Sequence, residues 1–192
     1  MSIVSFYRQL FSRRRPRATF ESTRAAAQVG DAEAQFALGL KYSVENRASG
    51  DLEQAAHWYE KAADQNHALA QFNLSIMHAR GQGIPRNDAL SLKWTRRAAE
   101  GGDAGAQHAL GTRYSRKGMD SLEVDPAESR IEAYKWFHLA AAQGYQGSAT
   151  ACEHATHGMS RDEVTESNRR AAVFVVNRPA PPSEPASSTL AE

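Results

Sequence analysis

Ala55-Ala-His-Trp-Tyr-Glu-Lys-Ala-Ala63 is the stretch on which the fold turns, because it recurs. It returns as LSLKWTRRAA from Leu90 to Ala99 and as EAYKWFHLAA from Glu132 to Ala141, each time with a Trp four residues before an Ala-Ala pair. Trp58, Trp94 and Trp136 are the only tryptophans in the chain, and they are spaced by 36 and 42 residues. A fixed period of this length is the mark of stacked repeats, in which each unit buries its apolar face only against the next.

Reading outward from that stretch, each Trp segment follows a shorter apolar pattern. In GDAEAQFALGLKY, Asp31 has the chemistry of a helix N-cap, and Ala34, Leu38 and Tyr42 recur at helical spacing on one face. Ala70 and Leu74 repeat that pattern, as do Ala106, Leu110, Gly111 and Tyr114, whereas Ser75 and His78 stand where the other units have Gly and Tyr. Each unit thus reads as helix, turn, helix. The third turn is six residues longer, and the surplus is expected within SRKGMDSLEV, inside the turn between the helices. Asp125-Pro126-Ala127-Glu128 and Ser160-Arg161-Asp162-Glu163 each read as the start of a helix, with a capping residue and a Glu three places on.

The pattern A-x-x-x-L-G-x-x-Y, then G-x-G-I-x-x-N-D, then K-W-x-x-x-A-A-x-x-G resembles the Sel-one-like repeat, a relative of the tetratricopeptide repeat, over about residues 20 to 155. The resemblance implies an all-α, right-handed α-solenoid of helix-turn-helix repeats, tetratricopeptide-like and about 36 residues long, acting as an adaptor in protein assembly and signalling. Some secreted members carry a cysteine pair per repeat and are linked to hydrolysis of lactam antibiotics. Cys152 is the single cysteine here, so that branch is not expected.

The expected organisation is a basic amphipathic arm at 1–19 and a solenoid at 20–158. The solenoid has a degenerate half repeat, units starting near 30, 66 and 102, and a partial unit from 144. A C-terminal capping helix at 159–177 and a disordered Pro/Ser-rich tail at 178–192 complete the chain. In the arm, Phe6, Tyr7, Leu10 and Phe11 share a helical face with Ile3, and Arg13, Arg14 and Arg15 follow without a carboxylate. Such a segment can cap the first repeat or be disordered, dock on a partner, lie on an anionic membrane surface or serve as a cleaved targeting segment.

The chain as a whole has a formal net charge of only +1, which selects no class of partner. A single Cys and no apolar run of about 18 to 20 residues fit a cytoplasmic protein, with membrane association, if any, through the arm. Subtracting the core positions leaves two aligned trios expected on the concave face: Phe36, Phe72 and His108, and Lys41, Met77 and Arg113. That face would receive a peptide carrying acidic groups, unless the aromatics are core. Gln35, Gln71 and Gln107 also recur and suit either a structural hydrogen bond or recognition of a peptide backbone.

Catalytic motifs are weak. GQGIPRND lacks the Lys-Ser/Thr of a phosphate loop, and EGGDAGAQHALG lacks the strand a dinucleotide fingerprint needs. Cys152, His154 and His157 cluster without a fourth ligand. The expectation is therefore a non-enzymatic protein with no cofactor, no metal and no nucleic-acid partner, binding a protein or peptide. A membrane-peripheral anchor and a hydrolase are the rival readings.

Overall fold

The computed structural model describes residues 20–45, 49–120 and 125–177, and among them every regular element is an α-helix. The arm residues Phe6, Tyr7, Leu10, Phe11, Arg13, Arg14 and Arg15 and the tail from 178 lie outside the described residues. No described helix is long and apolar enough to cross a membrane.

The chain divides into two compact units at Asn87/Asp88. In the first unit, α1 (Phe20–Gln28) packs on α2 (Ala32–Glu45), α2 on α3 (Ser49–Asp64), and α3 on α4 (Ala68–Arg80). In the second, α5 (Asp88–Glu100) packs on α6 (Ala104–Asp120) and α6 on α7 (Pro126–Ala142); α7 then carries both α8 (Ser148–Thr156) and α9 (Arg161–Asn177).

The helices stop and start where the repeat dictates. Gly30, Asn66, Gly102 and Gly144 hold the same place after successive second helices, and all four have positive φ, the left-handed turn that ends a helix. Asn66 is the one residue with a Cβ among them, of a type that tolerates this conformation. The next first helix is then capped at once: Ala34 N donates to Asp31 Oδ1 and Ala106 N to Asp103 Oδ1, both at 2.7 Å. In the middle repeat the cap is His67, whose Nδ1 accepts from Ala70 N at 3.2 Å.

The recurring glutamines are structural. Gln35, Gln71 and Gln107 are buried, and their Nε2 atoms donate to Ala27 O, Ala63 O and Ala99 O at 3.1, 2.9 and 3.1 Å. Each satisfies a carbonyl at the end of the preceding second helix, where helical bonds run out. Gln65 and Gln143 in turn donate to the Oε1 atoms of Gln35 and Gln107, both at 2.8 Å.

The alanines set the spacing. Ala62, Ala63, Ala70, Ala98, Ala99, Ala106 and Ala140 are fully buried, so the helices meet nearly backbone to backbone. Gly39 and Gly111 complete the joint, because a Cβ at either would lie 2.6 Å from the ring of Tyr59 or Phe137. At the equivalent places in the middle repeat stand Ser75 and Thr95: with the facing aromatic gone from the sequence, the glycine goes too. Trp94 and Trp136 are buried and Trp58 is half-buried, in keeping with a core role.

Two expectations about turns need correction. The surplus of the third repeat does not sit wholly in the turn, since α6 continues through Ser115 to Asp120, and it outlasts α2 and α4. The segment SRKGMD has no proline to stop it. At the start of α7, Asp125 Oδ1 accepts from Ala127 N at 2.9 Å as a cap should, but Glu128 reaches Arg170 on α9 instead of closing a capping box. The Ser160-Glu163 box does close, with Ser160 N donating to Glu163 Oε2 at 2.6 Å and Glu163 N to Ser160 Oγ at 3.2 Å.

Candidate functional site

Of the six side chains expected to line a binding face, Phe36, Lys41, Phe72 and Met77 belong to the first unit. Phe36 is 1 % exposed, with its ring stacked on His67 at 4.7 Å between centroids and tilted against Tyr59 at 5.9 Å. Its partner is fixed from both sides. His67 Nδ1 accepts the cap bond, so Nε2 carries the proton and meets Glu33 Oε2 at 3.0 Å. Met77 is 5 % exposed. Phe36 and Met77 are therefore core residues with no surface to offer a partner. Phe72 is half-buried, and Lys41, also half-buried, places Nζ 4.1 Å from the centre of the Phe20 ring.

His108 and Arg113 belong to the second unit. His108 repeats the theme of Phe36: it lies 5.3 Å from both the Phe137 and Tyr145 rings, and its Nδ1 is 2.9 Å from the buried Ser148 Oγ. Burial holds its pKa below the ordinary value. Arg113 alone among the six is exposed. In each unit, then, an aromatic of the first helix is pinned by a ring from the next turn, Phe36 by His67 and His108 by Tyr145.

The second helices differ more on their outer faces than in their cores. On α7, Lys135 Nζ sits 4.3 Å from the centre of the Trp136 ring and bonds Glu132 Oε2 at 2.9 Å. Arg170 of α9 joins Glu132, Glu128 and Glu166, while Arg130 bonds Glu163 at 2.6 Å. Burial works against the Glu132 carboxylate, but Lys135 and Arg170 outweigh it and leave its pKa below the usual range. Beneath the charges, Ser167 Oγ donates to Ile131 O at 3.0 Å and Phe174 meets Trp136 edge-on at 5.4 Å. This face is closed.

On α5 the face is open. Lys93, Arg96 and Arg97 are exposed, and none makes an ion pair among the described residues. Lys93 Nζ and Arg97 Cζ lie 5.7 and 5.2 Å from the centre of the Trp94 ring. Sequence reasoning passed over this trio. The signal was present in SLKWTRRAA, a run from Ser91 to Ala99 without a carboxylate.

A shallow cleft of about 210 Å³ in the first unit is lined by Glu53, His57 and Glu60 of α3 and by Leu74 and His78 of α4. The turn packs tightly beside it, since a Cβ on Gly83 would strike the Leu52 carbonyl. As for chemistry, burial pushes the Cys152 thiol up to about 11, which keeps it protonated and a poor nucleophile near neutrality. His154 and His157 are exposed, with ring centres 6.5 Å apart. Among the described residues no three His, Cys, Asp or Glu side chains are placed to hold a metal ion.

Comparison with known proteins agrees with this geometry. The family model described as Sel1 repeat matches residues 32–67, 68–103 and 104–145, more than half of the chain. Chitin synthase regulatory factor 3 of Schizosaccharomyces pombe is 33 % identical over 135 residues, 68 % of this chain and 14 % of its own length. The ERAD-associated E3 ubiquitin-protein ligase component HRD3A of Arabidopsis thaliana is 33 % identical over 69 residues, 36 % of this chain and 10 % of its own. The chain thus spans only a small part of these curated relatives.

Among solved structures, a Sel1 repeat protein from Oxalobacter formigenes matches with TM-score 0.58 and 30 % identity, covering 70 % of this chain and 96 % of that one. A protective antigen of uropathogenic Escherichia coli displaying an SLR fold matches with TM-score 0.69 and 24 % identity, covering 83 % and 33 % respectively. The second likeness shows fold alone. Together they establish an all-α fold of helix-turn-helix repeats of about 36 residues, of the SLR class.

Proposed function

Because the chain belongs to the Sel1 repeat family, we propose that it is a non-catalytic adaptor or regulatory scaffold that binds a protein or peptide on the exposed surface of its helical repeats. The observation that carries this reading is the division of labour in each repeat. The Trp, Ala and Gln positions are spent on packing, while among the positions that vary between repeats some, such as Glu60 and Arg96 or Arg113, are left to solvent. Relatives named as a regulatory factor and as a ligase component support it in kind. The identity of the partner does not carry over from them.

The candidate binding residues are taken unit by unit from the exposed and half-exposed members of the expected set: Lys41 and Phe72 in the first unit, His108 and Arg113 in the second. Repeats of this kind present rows of side chains to an extended or helical peptide. A cytoplasmic location accords with the lone cysteine.

Affinity capture from native lysate tests the reading, run with the full chain and with an Arg13, Arg14, Arg15 to Glu variant of the arm. One protein retained by both and reconstituted as a purified pair supports an adaptor acting through its repeats. Retention of anionic lipid alone, lost in the arm variant and at high salt, supports membrane anchoring instead. No retained protein in any condition contradicts the proposal.

A further inference from the structure

We propose that the exposed face of α5 bearing Lys93, Arg96 and Arg97 docks an acidic segment of the partner protein, an inference that rests on the adaptor reading above. The three cations lie at i, i+3 and i+4 and so share one helical face. Like charges at these spacings repel, and Glu100, at i+4 from Arg96 and i+3 from Arg97 on the same helix, makes no ion pair with either. In α7 the answer is internal: Glu132, one turn before Trp136, takes up Lys135. The equivalent place in α5 is Leu90, a half-buried apolar residue that can neutralise nothing.

Position by position, the same face of α3 is mixed in charge. His57, Glu60 and Lys61 stand where α5 has Lys93, Arg96 and Arg97. The repeat therefore does not require three cations here, although a cation recurs at the last place. Two of the side chains are oriented by Trp94, which is 7 % exposed and lies beneath the cationic groups of Lys93 and Arg97, while the three residues remain exposed. Half-buried Leu90 at the start of the same stripe adds a small apolar foothold.

The scale of the patch selects the partner. Lys93 to Arg97 spans roughly 6 Å of helix axis at about 1.5 Å per residue, enough to meet two or three carboxylates on one turn of a helix. Nucleic-acid surfaces neutralise about 6 to 10 phosphates, and single-strand readers add exposed aromatics, whereas Trp94 is buried beneath the patch. Membrane-directed basic clusters hold about 4 to 8 cations. An acidic helix or acidic extended peptide fits the three cations present.

The test is fluorescence anisotropy with the full-length chain and a fluorescein-labelled amphipathic helix peptide of Glu and Leu. Its Lys counterpart, duplex DNA and phosphatidylserine vesicles are run in parallel. The expected result is salt-sensitive binding of the Glu peptide, weakened at least tenfold by a combined K93E, R96E and R97E variant. It is left within about twofold by reversal of Arg24, Arg80 and Arg161, three exposed cations elsewhere. If the reversal variant loses helicity, K93Q, R96Q and R97Q together carry the same comparison.

Equal loss in both reversal variants would reduce the effect to net charge and overturn the proposal. So would tighter binding of DNA or vesicles through the same three residues, or unchanged peptide affinity in the α5 variant. Capture of the cellular partner that persists in that variant also removes this surface while leaving the adaptor reading standing. Failure of the wild-type chain to retain any protein removes both.

Discussion

Helices α5 and α7 are two copies of one element with opposite fates on their outer faces. Both place a Trp before an Ala-Ala pair and a Lys before the Trp. In α7 the lysine and Arg130 are paired, and Arg170 of α9 pairs with its glutamates as α9 covers the face; in α5 three exposed cations make no ion pair among the described residues. The difference teaches where selection for fold ends. Core positions are repeated because successive helix pairs pose the same packing problem. Outer positions diverge because each face meets something different: α9 for α7, and a partner for α5 in our proposal.

The comparison breaks most severely if α7 loses its seat. Replacing Gly111 by Val puts branched carbon where even a Cβ would stand 2.6 Å from the Phe137 ring. Overpacking of this kind costs about 1 to 3 kcal/mol, and the upper end is expected here by denaturant unfolding. Combining G111A with F137L, which removes the ring, should recover most of the loss that G111A shows alone.

Removing the guanidinium that ties α9 to α7 comes next. Arg170→Ala strips partners from Glu128, Glu132 and Glu166 and is expected to cost about 1 to 2 kcal/mol, with faster amide exchange in 161–177. The same truncation of Lys93 on α5 should change stability by less than about 0.5 kcal/mol, because it breaks no ion pair. Equal effects at the two sites would erase the contrast.

An effect of similar size separates two carboxylates of the second unit by pH. Burial raises Asp103 to about 6 although Ala106 N–H bonds it, so the folded chain holds its proton where the unfolded chain has lost it. Stability from this group therefore falls as pH rises from about 4 to 6. Asp103→Asn keeps a capping oxygen without the charge and should raise stability at neutral pH by about 1 to 2 kcal/mol. Glu132 has the opposite sign. Its lowered pKa gives stability above the unfolded value that is lost on acidification, and Glu132→Gln should flatten the acid limb. Unfolding titrations of the two variants across pH check both signs.

The fold was legible because its demands are periodic. A buried Trp, an Ala pair at close approach and a helix-ending Gly recur at a spacing that can be counted, and small irregularities such as Asn66 keep the required chemistry. Candidate surface residues were less legible, because removing consensus positions does not reveal what covers the rest. Phe36 is buried by His67, an N-cap whose ring has no helical relation to it in the sequence. Met77 was misread in the same way. The basic face of α5 was visible as a run without carboxylates, yet only the paired state of Lys135 in α7 shows what that run lacks. The lengthening of α6 was hidden for a simpler reason: nothing in SRKGMD forbids helix.

Equivalent positions offer the most direct test of the central claim that the repeats share a core and divide their surfaces. Glu60 of α3 and Arg96 of α5 are both exposed and occupy the same place in successive repeats. A photo-crosslinking amino acid introduced at each in turn, in the full chain bound to its purified partner, should capture that partner from position 96 and not from position 60. Capture from position 60 alone, or equally from both, would contradict the account.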